Sequence, residues 1–519
     1  MSLARNVSTV GSATLLSRLL GFARDMGIAA LLGAGVTSDA FFAALQLPNL
    51  FRRLLAEGAL NAGFVPLWTR IKAGEGAPAA RQFGRDVLGF MLLTLGLISL
   101  ACIVFAPGLV RLVAPGFGPG ELRTGLAADY IRLAAPYLAA VGVAAAGVAI
   151  LNAEGRVGAA ALGPVVFNGV VLAALAGLMI GGDRIPVSAG AVLAGAVTLG
   201  GLAQLLLVAS ALRKLAIPSL RPTFHLSPQV RRFLTLALPG VIAGGIPQIK
   251  LMAGIMIASS SDSAVSWLYY AYRLYELPLG VVSIAIASVM VPLLAASVRS
   301  GAPAAFAAAQ SRACEIGLGL ALPAAAAFAV LAQPIIAGLF QRGAFDADDT
   351  AAVAAILAGI CAGLPGHALE KVLGAVSFVH ADTRTPMLAA LTGLAVMIAG
   401  ALILFPPYGP VGIAVAIALS GWVGVTAMTL VLAGRGWLQL DDDARRRLPR
   451  IILATVIMAA VLWLLLDGAD HLVAASSTII RLTLLAALVA AGLAAYLAAL
   501  HLLRVADIPS LVNAIRKRA

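Results

Sequence analysis

The 519-residue chain is 61% apolar and only 11% charged, with a mean hydropathy of +1.00, far above what a water-soluble domain of this length shows. Its 36 Lys and Arg against 23 Asp and Glu fall between apolar runs rather than on one folded face, which sets aside nucleic-acid binding. Apolar stretches of about 20 residues recur throughout, so the chain reads as an all-α polytopic membrane protein with no room for a soluble domain.

Fourteen transmembrane helices are predicted, near 6–32, 37–69, 82–113, 122–151, 158–181, 187–212, 233–258, 264–298, 304–340, 350–378, 386–405, 410–434, 450–467 and 479–503. The first follows Arg5 and lacks a small-residue cleavage site, so it reads as a retained span rather than a signal peptide. It contains "SRLLGFARDM". At 100° per residue Thr14, Ser17, Arg18, Gly21, Arg24 and Asp25 share one sector, and Leu15, Leu16, Leu19, Leu20, Phe22 and Ala23 cover the rest. A guanidinium at the bilayer centre costs roughly 2.5–3.5 kcal/mol, so this stripe is expected to face protein or water. A bland alternative is that Arg18 and Asp25, at i and i+7, or other partners merely neutralise each other in a helix interface.

The second span, "SDAFFAALQLPNLFRRLLAEGALNAGFVPLW", reads as one long helix bent near Pro48 and bearing Asp39, Gln46, Asn49, Arg52, Arg53, Glu57 and Asn61. Arg53 and Glu57 have i,i+4 spacing and form a pair on this reading; Arg52 has no such partner. The eighth span adds "YYAYRLYELPLG", placing Arg273 and Glu276 among four of the chain's eight tyrosines. Arg18, Arg24, Arg52 and Arg273 are therefore expected to converge on a cavity for an anionic ligand. Guanidinium stays charged at physiological pH, and its fork of donors matches phosphate oxygens.

Alternate loops carry Arg70, Lys72, Arg81 and Arg85; Arg156; Arg213, Lys214, Arg221, Arg231 and Arg232; Arg299 and Arg312; Arg384; and Arg435, Arg445, Arg446, Arg447 and Arg450. The opposite loops hold little beyond Arg123, Arg184 and Arg342, which predicts both termini, including the basic tail "IRKRA", on the cytoplasmic side. A faint repeat runs through the chain. Ser38-Asp39 and Ser261-Asp262, Val65-Pro66-Leu67 and Val291-Pro292-Leu293, and "AEGR" and "ADTR" recur at offsets of 223, 226 and 228. Two pseudo-symmetric six-helix lobes, 1–214 and 215–436, are expected, followed by a C-terminal helix pair with its tail at 437–519.

Other features point away from chemistry. "DDDARRR" at 441–447 reads as a solvated charge patch rather than a metal site. His225, His367, His380, His471 and His501 show no ligand spacing, and Cys102, Cys314 and Cys361 are few, distant and apolar in context, so neither metal nor disulfide framework is expected. No nucleophile–base arrangement or phosphate loop accompanies the arginines; no catalytic residue and no cofactor are predicted.

Several stretches, "SRLLGFARD", the second span, "YYAYRLYELPLGV", "LFQRGAFDADDT" and "FVHADTRTP", resemble the MurJ (MviN) family of bacterial lipid II flippases in the multidrug/oligosaccharidyl-lipid/polysaccharide exporter superfamily. The resemblance implies alternating access that moves undecaprenyl-diphosphate-linked muropeptide outward across the inner membrane. It also implies a final helix pair forming a groove for the lipid tail, and a monomer working beside cell-wall synthesis proteins. On motif match the diphosphate is assigned to Arg18, Arg24, Arg52 and Arg273, and cavity or gating roles to Asp25, Asp39, Asn49, Arg53, Glu57 and Glu276. The chain departs from its relatives at Ala271-Tyr272-Arg273, where many have an acid beside the arginine. At the sodium-binding positions of some members it carries Gly254, Met397 and Ala401, side chains without oxygen. Another polysaccharide lipid, or a drug exchanged for protons, is the competing cargo.

Overall fold

A computed structural model describes residues 3–55, 60, 63–182, 186–214, 223–300, 303–474 and 478–505; Glu57, Asn61, Arg184, Arg221 and the basic tail lie outside them. Every regular element among the described residues is helical. The chain divides into two compact units, residues 1–266 with 342–345, and 267–341 with 346–519.

The first unit begins with α1, Leu3–Leu32. Leu15, Leu16 and Leu19 are exposed as lipid-facing side chains should be, whereas Ala13, Gly21, Asp25 and Ile28 are buried. The second expected span is not one bent helix. It is divided into α2 (Val36–Ala44), α3 (Gln46–Arg53) and α4 (Val65–Gly74). Pro48 has no N–H for the Ala44 carbonyl, and the helix breaks at Leu45. Residues 54–55 and 63–64 wind as π-helix just before Pro66.

Proline also cuts the next two expected spans. The first becomes α5 (Gly76–Val104) and α6 (Ala106–Val113), parted at Phe105 ahead of Pro107. The second becomes α7 (Leu122–Ala134) and α8 (Pro136–Ala153). Then come α9 (Val157–Gly181), α10 (Ala189–Arg213) and α11 (Pro228–Ala258), with Ser188 and Ser227 accepting the amides of Ala191 and Val230 as N-caps. The core gathers around Phe64, which stacks on Phe83 with centroids 5.0 Å apart and meets Phe233 of α11 edge-on at 6.2 Å.

The remaining chain repeats these interruptions. α12 (Ala264–Ala285) runs into a π turn, Ile286–Met290, and on into α13 (Val291–Ser300), so both Val-Pro-Leu motifs follow π-helical winding. α14 (Pro303–Val330) and α15 (Ala332–Leu339) part at Leu331, at the offset of 226 from Phe105. α16 (Ala347–Cys361) and α17 (Leu364–Val379) part before Pro365, as α7 and α8 do before Pro136. The chain closes with α18 (Arg384–Tyr408), α19 (Pro410–Gly434), α20 (Asp442–Ala474) and α21 (Thr478–Leu502).

The acids of "AEGR" and "ADTR" each tie a loop to a neighbouring helix end. Glu154 accepts from Lys72 Nζ at 2.8 Å and from Trp68 Nε1 at 3.2 Å. Asp382 accepts from Arg435 and from the amides of Arg384 and Thr385 at the start of α18. "DDDARRR" is more than a solvated patch. Asp441 caps α20 through the Ala444 amide, and Arg447 reaches the buried Glu315 of α14 at 3.5 Å.

Eleven helices among the described residues are long and apolar enough to cross a membrane. The other three expected spans are helical but more polar or interrupted: α1 carries three arginines and an aspartate, 37–69 is divided, and the apolar part of α11 is Gly245–Ala258.

Candidate functional site

In α1 the side chain of Arg24 bends back along its own helix. Its Nε and Nη2 donate to Asp25 Oδ1 at 3.0 and 2.7 Å, and Nη1 donates to Asn168 Oδ1 of α9 at 3.0 Å. The Asn168 amide in turn donates to the Ser17 carbonyl at 3.0 Å. Adjacent helical residues diverge by 100°, and only a chain as long as arginine's makes such a contact. The alternative of neutralisation within the stripe is met by another pair than Arg18–Asp25: Asp25 takes Arg24, and the exposed Arg18 makes no ion pair among the described residues.

The Arg24 guanidinium lies 5.9 Å from the centre of the Phe167 ring, which packs on Tyr137 at 5.6 Å. Tyr137 itself is buried in α8. Arg52, Asn49 and Arg53 are half-buried on α3; Glu57, the expected partner of Arg53, lies outside the described residues. Asn168 and Tyr137 were not among the residues selected from the sequence. An asparagine in the apolar run "VVFNGVV" is the signal that could have found the first.

Asp39 belongs to a second group. Its carboxylate is fully buried, and Oδ1 accepts the Ser266 amide at 2.9 Å and the Ser266 hydroxyl at 2.6 Å, capping the first turn of α12. The segment before α12 is held at further points. The Ser263 hydroxyl donates to the Ala34 carbonyl, the Gly116 amide donates to Ser259 Oγ at 2.8 Å, and Arg123 lies 2.8 Å from both Asp262 and Glu121. The short 342–345 stretch joins here through the Ala344 amide on the Ala30 carbonyl. Gly33 and Gly343 make that approach possible: both have positive φ, and a Cβ on either would fall 2.4 or 2.2 Å from a carbonyl oxygen.

In the second unit, Arg273 and Glu276 face each other at 3.8 Å, both partly exposed. Around them Tyr275 is buried with its hydroxyl 2.8 Å from His367 Nδ1, and Trp267 donates to Asp349 at 2.8 Å. Two of the four tyrosines are thus packing residues: Tyr270 packs on Phe340 and, like Tyr275, is buried.

Residues 28–496 match the family described as lipid II flippase MurJ. The chain belongs to that family. It is 41% identical over 502 residues to a probable lipid II flippase MurJ of Rhizobium meliloti, covering 96% of this chain and 93% of the relative. A second MurJ relative, from Rhizobium tropici and also described as probable, is 36% identical over the whole of this chain and 97% of its own. Lipid II flippase MurJ of Burkholderia cenocepacia is 30% identical, covering 89% and 90%. The fold is that of a MurJ structure in an inward closed conformation, with a TM-score of 0.79 at 22% identity over 95% of this chain and 98% of that one. A multidrug MATE transporter in an inward-facing conformation shares it at 0.69 and 17%, over 83% and 98%. The chain is thus a multi-pass helical membrane protein of a transporter family rather than of a catalytic one.

Proposed function

We propose that this chain flips lipid II, carrying undecaprenyl-diphosphate-linked muropeptide from the cytoplasmic to the periplasmic leaflet of the inner membrane by alternating access. Membership of the MurJ family is the observation that carries the reading, and the buried arrangement on α1 gives it chemistry. Asp25 and Asn168 fix the Arg24 guanidinium, so its charge is set in place for an oxyanion, and Arg52 on α3 supplies a second cation. Arg18 and Arg273 are assigned to the same diphosphate, with Asn49, Arg53, Glu57 and Glu276 around the headgroup. Asp39 with Ser266 is the gate on the periplasmic side.

On this reading both termini are cytoplasmic, 1–214 and 215–436 are the two lobes, and 437–519 holds the prenyl tail. The protein works as a monomer, beside enzymes that consume the exported precursor. The membrane potential supplies drive: each negative charge moved fully outward gains roughly 2.3 kcal/mol per 100 mV, and a diphosphate about twice that.

The test is depletion of the protein in growing cells, with lipid II accessibility measured from outside. Arg24→Ala and Arg52→Ala should fail to restore transport, and Arg24→Lys should fall short although it keeps the charge. Full transport by both Ala variants would overturn the assignment of these residues. Unchanged flipping in liposomes after collapse of the potential would overturn the proposed drive.

A further inference from the structure

The end of α4 and the start of α11 enclose a cavity of about 290 Å³, apart from the residues given transport roles above. Leu67, Ile71 and Pro228 supply apolar wall, while Arg70, Arg232, Glu75 and Gln229 supply polar lining. Both α4 and α11 are fixed in the aromatic core: Leu67 and Ile71 pack with Phe64, Phe83 and Phe233. The cavity thus lies beside that core, with Arg70, Glu75 and Arg232 exposed at its mouth.

Arg70 and Arg232 line the same small space, yet neither guanidinium has a hydrogen-bond or ion-pair partner among the described residues. The Glu75 carboxylate lines it too and is bonded to neither. Two like charges sharing a cavity with one acid leave a net positive site; the positive end of the α11 dipole and the negative end of the α4 dipole both lie at its wall and offset each other. Forked donors beside apolar wall are suited to a phosphate ester at the head of an apolar chain.

We propose that this cavity binds the phosphate of a lipid at the cytoplasmic membrane surface. The placement rests on the orientation proposed above; the binding chemistry does not. Arg70 and Arg232 hold the phosphate oxygens, Leu67, Ile71 and Pro228 receive the first carbons beyond it, and Glu75 tempers the affinity so that the lipid can leave. That phosphate can come from an anionic phospholipid, or from the polyprenyl diphosphate of the cargo before it is taken up.

The experiment uses purified full-length protein in detergent micelles, titrated with phosphatidylglycerol, phosphatidylcholine or undecaprenyl diphosphate and followed by native mass spectrometry. The Arg70→Ala/Arg232→Ala variant should lose at least tenfold in affinity for one of the two anionic lipids, which identifies the source. Glu75→Gln should bind that lipid several-fold more tightly, a gain that a merely structural role for the cavity would not give. Phosphatidylcholine, whose choline offsets its phosphate, should be unaffected. Arg24→Ala should leave this binding event in place. Wild-type affinity of the double variant for both anionic lipids would overturn the proposal, as would weaker binding by Glu75→Gln. Because no transport is measured, absence of lipid II flipping by the wild-type protein would sink the functional reading and leave this result standing.

Discussion

Replacing Asp39 tests the contact that caps the start of α12. Its Oδ1 accepts both the amide and the hydroxyl of Ser266, at 2.9 and 2.6 Å, in a site with no exposure. Hydrogen bonds to a charged group are worth roughly 1.5–3 kcal/mol, and loss of an N-cap about 1 kcal/mol. The two bonds share one acceptor and one partner residue, so they do not add fully, and about 2 kcal/mol is a reasonable total. At ~1.4 kcal/mol per tenfold, Asp39→Ala should shift the docked-to-released ratio of the 259–266 segment by about 30-fold. That is an upper figure: Oδ2 has no hydrogen-bond partner among the described residues, and alanine removes the cost of burying it. Asn keeps a neutral acceptor at Oδ1, so Asp39→Asn should shift the ratio only about fivefold. A cysteine at position 263, in a background with Cys102, Cys314 and Cys361 replaced, reports the change through its labelling rate with a membrane-impermeant maleimide applied from the periplasmic side. Equal labelling of wild type and Asp39→Ala in folded protein would refute the reasoning, and so would faster labelling of Asp39→Asn than of Asp39→Ala.

Three further outcomes are expected. Gly33→Val places a branched side chain at positive φ and against the Ala344 carbonyl, which should cost at least 1–2 kcal/mol and lower the thermal unfolding midpoint, while Gly35→Ala, which meets open space, should not. Asn168→Leu removes the α9 contact of Arg24 at similar volume. Lipid II export should fall by an order of magnitude with expression unchanged, and full export would show that Arg24 needs no such positioning. Asp382 is pushed up by burial but pulled down further by Thr385, Arg435 and the Arg384 amide, to about 2 from an ordinary 3.8. Its stabilising contribution is therefore complete above pH 3.8 and disappears as pH falls through 2, so the unfolding-midpoint gap between wild type and Asp382→Asn should be wide at pH 5 and close by pH 2.

Hydropathy made the helical architecture legible, because a 20-residue apolar run has few alternatives to a spanning helix. It did not show the breaks inside those runs. Pro107, Pro136 and Pro365 stand in plain view, but a window average passes over a single missing N–H, and spans 82–113, 122–151 and 350–378 read as continuous. The stripe on α1 was visible from periodicity, and Arg24 and Asp25 do turn inward. Which acid takes which cation was not, since adjacent positions are poor partners by helix geometry and the deciding third member, Asn168, lies 144 residues away. Asp39 stood out as an acid at the head of an apolar run, whereas Ser266 offered no cue of its own. Arg273 could be chosen from its motif, but nothing in that motif showed its neighbour Tyr275 buried against His367.

The paired interruptions have a mechanical consequence. Near Phe105 and Leu331, and again at Pro136 and Pro365, the helical run is interrupted, and each proline there withholds one backbone donor from the turn before it. Bending there has fewer main-chain bonds to break than bending in mid-helix, and the interruptions recur in order along the chain. The weak points of the backbone are thus confined to a few short stretches, and the rods between them can keep their form while the chain flexes.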